Sequence, residues 1–325
     1  TDEAKKKAEL ILGKTPDNVE ALSLLSGVQV QQRDLDGAIK TLEKASSLNP
    51  NHFNTQLSLG RLLLLKGEQA KAEEAYLKAI ALDPGSGVPY IELSRIYAGK
   101  GEWDKAEAEL KRMIQAAGSN YETLHVLALF YESSKNLDQA EKTYLKAVEV
   151  APQGDVAPLM NLAAFYARRK SYDRALEAMH KAAEIKKDDP NVLVNMAELQ
   201  FDFNKVKEAE ATLDKVLEKE KGHVEANLLK GRVLLARRDF GNALERFEVV
   251  VRESPRNAMA HYFRGLSYIG KGDPKMGQQD LLKAVEFNPG LLDARLLLAE
   301  FFLSERNADL ARQQIDAAVK IAPRN

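Results

Sequence analysis

The sequence contains no cysteine. Disulfides, cysteine-bound metals and thiol chemistry are therefore excluded, although the compartment is not identified by this. Trp103 is the only tryptophan. Long apolar runs are missing as well. Leu62 to Leu65 is followed at once by Lys66, and no stretch offers the roughly 20 apolar residues that a membrane-spanning helix needs. The opening TDEAKKKAEL is no signal peptide. Charge of one sign is not in excess: 47 Lys+Arg stand against 48 Asp+Glu, a formal net charge of −1. Such a balance gives no support to non-specific binding of nucleic acid or of an anionic membrane. Strand-like alternation, low-complexity segments and linkers are absent too.

Catalytic motifs are missing in the same way. There is no GxSxG and no HExxH. Lys66-Gly67, Lys100-Gly101 and Lys271-Gly272 lack the full GxxxxGK[ST] spacing of a phosphate-binding loop, and no strand precedes them. They recur at one place in a repeating pattern and read as turns. No two of His52, His125, His180, His223 and His261 are i,i+4 neighbours, so each reads as a surface or packing histidine. Paired carboxylates such as Glu73-Glu74 read as solvated helix faces. The run Arg168-Arg169-Lys170 reads as a solvated turn, and Trp103 as packing between helices. No catalytic residue, metal site or cofactor is assigned, and the chain reads as a non-enzyme.

What is present is a period. Residues 53–86, FNTQLSLGRLLLLKGEQAKAEEAYLKAIALDPGS, hold two amphipathic helical patterns. The first is broken at Lys66-Gly67-Glu68 and the second ends at Asp83-Pro84-Gly85. Neither helix can bury its apolar stripe alone, so the segment needs neighbours. Equivalent segments start at Val19, Phe53, Gly87, Tyr121, Val156, Pro190, Val224, Ala258 and Leu292. Seven of the eight intervals are 34 residues and one is 35, with the extra residue near Asp155. Residues 1–18 match only the second half of a segment. The eleven prolines all fall between helices or in their first turns, where proline removes no helix-interior hydrogen bond.

The alignment is specific at three positions. Position 8 is always small: Ser26, Gly60, Ser94, Ala128, Ala163, Ala197, Gly231, Gly265 and Ala299. Position 20 is Ala38, Ala72, Ala106, Ala140, Ala175, Ala209, Ala243, Gly277 and Ala311. Position 24 is large and apolar, from Leu42 and Tyr76 to Leu281 and Ile315. This pattern resembles the tetratricopeptide repeat, a helix-turn-helix of 34 residues. The departures are Lys187, Lys221 and Gly118 in place of proline at position 32, and Lys230 and Arg264 in place of leucine at position 7. The resemblance covers residues 1–325 as one array, and implies an all-α, right-handed α-solenoid superhelix. Its opening half repeat and the apolar stripe of its last helix (Ile315, Ala318, Val319, Ala322) lead to the expectation that the native array continues in both directions and associates end to end.

The resemblance also implies function. In this family the first helix of each repeat lines a concave groove, with positions 2, 5, 6, 9 and 12 tending to face it. Mapped here, these positions give Arg61, Arg95 and Arg232, the amides Asn161 and Asn195, and the aromatics Tyr262 and Phe263, flanked by Leu228, Leu229, Leu296 and Leu297. The two asparagines resemble the ladder by which the repeats of O-linked N-acetylglucosamine transferase hold an extended peptide backbone. Nothing matches the Lys-Asn-Asn-Lys-Arg clamp that some members use for chaperone tails: the relevant positions of the first repeat are Ser23 and Gly27. The expected function is a non-catalytic scaffold for a protein or an extended peptide, with no nucleic acid and no membrane insertion. Two other classes fit the same array. One is a periplasmic assembly scaffold in bacterial exopolysaccharide or protein export. The other is the regulatory or substrate-recruiting region of a larger enzyme.

Overall fold

The computed structural model describes residues 2–322, and those residues form helices and turns with no strand. The chain divides into two compact units, residues 1–153 and 154–325. Unit 1 holds α1 (Asp2–Lys14), α2 (Val19–Gln31), α3 (Leu35–Leu48), α4 (Phe53–Lys66) and α5 (Gln69–Leu82). It continues with α6 (Gly87–Gly99), α7 (Trp103–Ala117), α8 (Tyr121–Ser133) and α9 (Leu137–Glu149). Unit 2 holds α10 (Ala157–Arg168), α11 (Tyr172–Ile185), α12 (Pro190–Asp202), α13 (Val206–Lys219) and α14 (Val224–Ala236). Its remaining helices are α15 (Phe240–Glu253), α16 (Ala258–Lys271), α17 (Pro274–Phe287), α18 (Leu292–Ser304) and α19 (Ala308–Ile321). The division falls in the connection 150–156, where the sequence period lengthens from 34 to 35 residues. No helix among the described residues is long and apolar enough to cross a membrane.

Local chemistry fixes the helix ends. Asn18 Oδ1 accepts from the Ala21 N–H at 2.7 Å, and Asn257 Oδ1 from the Ala260 N–H at 3.0 Å. Asn120 and Thr123 cap one another's backbone reciprocally at the start of α8. Each cap satisfies a donor that the first helical turn leaves free. The turn inside every hairpin is left-handed at one residue. Gly67, Gly101 and Gly272 have φ of 86°, 79° and 92°, as the sequence anticipates. Arg33, Lys135, Lys170, Asn204, Arg238 and Arg306 occupy the same repeat position with φ between 58° and 64°. The turn is therefore demanded by the packing of the two helices, and side chains other than glycine are forced into it at a cost of about 1–2 kcal/mol each.

The packing that demands it is the crossing of the two helices. Ala38, Ala72, Ala106, Ala140, Ala175, Ala209 and Ala243 are completely buried there. Position 24 packs beside the crossing: Tyr76, Phe247, Leu213 and Leu281 are at 0% exposure. A methyl added at Gly60 would lie 2.7 Å from the Tyr76 ring. In the α16–α17 hairpin a methyl on Gly265 would lie 3.0 Å from the Gly277 carbonyl oxygen, and one on Gly277 would lie 2.9 Å from the Gly265 carbonyl oxygen. Ile315 holds position 24 in α19 but is 41% exposed, since no further described helix packs on it.

Successive hairpins are joined by polar contacts that the sequence does not announce. A side chain at position 4 reaches back to the carbonyl six residues earlier, in the connection from the preceding hairpin. Gln56 donates to the Pro50 carbonyl at 3.1 Å, Tyr90 to Pro84 at 3.3 Å, Asn227 to Lys221 at 2.9 Å, and Arg295 to Pro289 at 2.7 Å. On the other side, Tyr97 donates to Glu73 at 2.7 Å and Tyr131 to Glu107 at 2.6 Å, each joining a first helix to the preceding second helix. Burial, then the hydrogen-bonded carboxylate, pushes the Tyr97 and Tyr131 hydroxyls well above the usual tyrosine range.

Two substitutions test the crossing and its turn in opposite directions. Ala140→Leu should overpack the α8–α9 crossing and cost about 1–3 kcal/mol. Lys135→Gly should release left-handed strain and raise stability by up to about 1 kcal/mol once the greater freedom of the unfolded glycine is subtracted. Urea denaturation of both variants checks this; equal midpoints for the two would contradict it.

Candidate functional site

The residues expected to face a groove all lie on first helices of hairpins. In unit 1, Arg61 on α4 and Arg95 on α6 are exposed. Arg95 donates to Glu92 Oε1 at 3.0 Å. The Tyr76 hydroxyl lies within the field of this group: burial pushes its pKa up to about 12, Glu92 adds to the rise, and Arg61 and Arg95 oppose it. Trp103 is 43% exposed and packs at 6.0 Å, tilted, against Phe130 of α8.

In unit 2, Asn161 on α10 is half-buried and Asn195 on α12 is exposed. The Asn195 amide donates to the Asn191 carbonyl at 2.8 Å, which engages one of its N–H groups and leaves its oxygen and second N–H uncommitted by that bond. Arg232, Tyr262 and Phe263 are brought together. The Arg232 guanidinium lies 5.6 Å from the Phe201 ring and 5.7 Å from the Phe263 ring, with Glu198 Oε1 at 3.4 Å. Phe263 stacks on Phe247 at 5.8 Å and meets Tyr262 at 5.1 Å. Burial first, then Asp293, raises the Tyr262 hydroxyl. Arg232 on α14 thus bridges α12 and α16. Phe201 and Glu198 escape sequence reasoning because their role depends on a residue one repeat away. The signal available was opposite charge at position 9 in consecutive repeats, Glu198 followed by Arg232.

The departures at position 7 lead to paired charge. Lys230, itself buried, pairs with the half-exposed Asp214. Arg264 makes a two-pronged contact with Asp280, Nε to Oδ2 and Nη2 to Oδ1, both at 2.7 Å. His261 sits in the same cluster: Nδ1 is 3.0 Å from Asp280 Oδ1, and Nε2 donates to the Pro255 carbonyl at 3.0 Å. A histidine beside a carboxylate has the outline of a catalytic dyad, but side-chain exposure is 2% for His261 and 3% for Asp280, so no substrate reaches it. Burial alone would raise the Asp280 carboxyl. The hydrogen bonds and charge of Arg264, with His261 adding to them, together outweigh burial and hold it below its ordinary value of 3.8. The cluster is a lock between α16, α17 and the preceding connection. Among the described residues no group of three or more His, Asp or Glu is placed to hold a metal ion.

Comparison with known proteins agrees with this architecture. Models of the tetratricopeptide repeat match residues 24–87, 121–153, 166–233 and 228–290, together more than half of the chain. The human protein O-mannosyl-transferase TMTC3 is 26% identical over 317 residues, covering 93% of this chain and 32% of that protein. The BBSome complex member BBS4 homolog of Drosophila melanogaster is 22% identical over 299 residues, covering 89% of this chain and 54% of that protein. The chain therefore spans between a third and about half of these relatives. A solved MamA structure from Desulfovibrio magneticus RS-1 is 28% identical and covers 53% of this chain and 98% of its own, with a TM-score of 0.45.

Replacing Asp280 tests the buried lock. Asp280→Asn leaves Arg264 without its counter-charge and should cost about 3–5 kcal/mol. The pH dependence has a fixed sign. A carboxyl held below 3.8 in the folded state contributes stability that is present above that pH and is lost as pH falls through the folded value. The wild type should therefore lose stability below about pH 4, and the Asn variant should lack that increment. Thermal melts of both between neutral and acid pH give the answer; parallel curves would contradict the assignment.

Proposed function

Because the chain belongs to the tetratricopeptide repeat family, we propose that its first-helix faces form the binding surface for an extended segment of a partner protein. The fold supports a protein-interaction scaffold in general, and this family is typically non-catalytic. The observation that carries the finer reading is recurrence: like residues stand at one position of consecutive first helices, Arg61 then Arg95, and Asn161 then Asn195. Amides one repeat apart can pair with the carbonyl and N–H of a peptide backbone, which gives affinity with broad sequence tolerance. Within unit 2, Tyr262 with Phe263 favours an apolar flank of such a segment; in unit 1, Arg61 and Arg95 by themselves favour an acidic segment. The relatives fit a role inside larger proteins and assemblies. One is named as a member of a complex and another as a transferase of which this chain matches 32%. That match supports a second reading, in which the array recruits or positions substrate for a catalytic region elsewhere in a longer protein.

The amides are the direct test. Asn161→Ala combined with Asn195→Ala should weaken binding of an extended peptide by about 1–3 kcal/mol in calorimetric titration, with the circular dichroism spectrum unchanged. Equal affinity of wild type and double variant would reduce both amides to solvated spacers.

A further inference from the structure

Two pockets on first-helix faces are built from the same repeat positions. In unit 1 a pocket of about 290 Å³ lies between α6 and α8, lined by Ile91, Arg95 and Ala98 on one side and Val126, Leu129 and Phe130 on the other. In unit 2 a pocket of about 240 Å³ lies between α16 and α18, lined by Ile269, Leu297, Glu300 and Phe301. Ala98 corresponds in the repeat to Ile269, Val126 to Leu297, Leu129 to Glu300 and Phe130 to Phe301. Both contain an aromatic ring at position 10 that is only half-buried. In the four repeats between them that position is Phe165, Leu199, Val233 and Ser267, all buried, so no ring is offered. Of the two volumes, the second falls below the roughly 300–1,000 Å³ of small-molecule sites and the first lies at the lower edge of that range. They suit a single side chain anchored from a partner, the arrangement that concentrates binding energy at an interface.

The rims differ in charge. At the first pocket stands Arg95, which is exposed; the same position one repeat earlier is also an exposed arginine, Arg61. Arg95 is 69% exposed, and its bond to Glu92 is a surface pair three residues apart, of a kind worth only about 0–1 kcal/mol and easily exchanged for another carboxylate. Beside the second pocket, Glu300 takes the place of Leu129. We infer that the α6–α8 pocket is a socket for a protein segment carrying a large apolar side chain next to an acidic residue, and that the α16–α18 pocket is its counterpart for an apolar side chain next to a basic one. This rests on the first-helix faces being the binding surface, and it names the chemistry of the segment they take.

A random peptide library displayed on phage, selected on the folded protein, tests the inference. Selected peptides should fall into two classes. Those pairing an aliphatic or aromatic residue with nearby Asp or Glu should bind about tenfold more weakly to Leu129→Ser or Arg95→Glu, and should be indifferent to Glu300→Arg. Those pairing an apolar residue with Lys or Arg should show the reverse. Leu129 is 45% exposed and Arg95 lies on the surface, so both variants should keep the wild-type melting curve, which is measured alongside. Selected peptides without charge bias, or whose binding ignores Leu129→Ser and Arg95→Glu, overturn the sockets. If such peptides still weaken on Asn161→Ala with Asn195→Ala, the sockets fail while the backbone-binding reading stands. A library that yields no binder overturns both.

Discussion

Everything in this molecule depends on how closely two helix backbones can cross. In each hairpin a small residue near the middle of the first helix meets a small residue near the start of the second. At Gly265 and Gly277 the approach leaves no room for a methyl without displacing a carbonyl or the Ile269 side chain. Close packing of this kind tolerates little change in volume. It explains the conserved register within the chain: one crossing fixes which face of each first helix is covered and which is left open. It also explains the left-handed turns at Arg33, Lys135 and Arg238. Those residues hold an unfavourable conformation because the helices they connect must return at the distance the crossing sets.

Between hairpins, polar contacts supplement apolar burial. The position 4 side chains Gln56, Asn227 and Arg295 tie each first helix to the connection before it. In the α16–α17 hairpin the same position is His261, and the tie grows into a buried cluster with Asp280 and Arg264. A buried ion pair adds little net stability over a well-packed apolar pair, because desolvation offsets its attraction, yet losing one partner is costly. The cluster therefore makes register there less forgiving. On the open faces the balance shifts: Arg232 is held between Phe201 and Phe263 in unit 2, whereas Arg95 in unit 1 lies on the surface beside a pocket.

The repeat architecture was legible in the sequence because its determinants are local and recur: small residues at two positions, a large residue at a third, and prolines confined to connections and first turns. The helix starts at Val19, Phe53, Tyr121 and Leu292 coincide with the starts of the sequence period. The placement on first helices of the residues expected to face a groove followed from the same register. What the sequence concealed depends on pairs of residues in different repeats. Lys230 and Arg264 read as irregularities at an apolar position, and only their neighbours show Lys230 paired with Asp214 and Arg264 locked to the buried Asp280. His261 read as one histidine among five, and its two partners lie 6 and 19 residues away. The pockets were invisible for the same reason, since each needs side chains from two successive first helices.

We propose that first helices present the binding surface while second helices hold the stack. Hydrogen–deuterium exchange, with and without the tightest peptide obtained for this protein, addresses it directly. Peptide binding should add protection in first helices such as α6, α8, α16 and α18 and leave second helices such as α7 and α17 unchanged. Protection confined to second helices, or spread evenly over both, would contradict it.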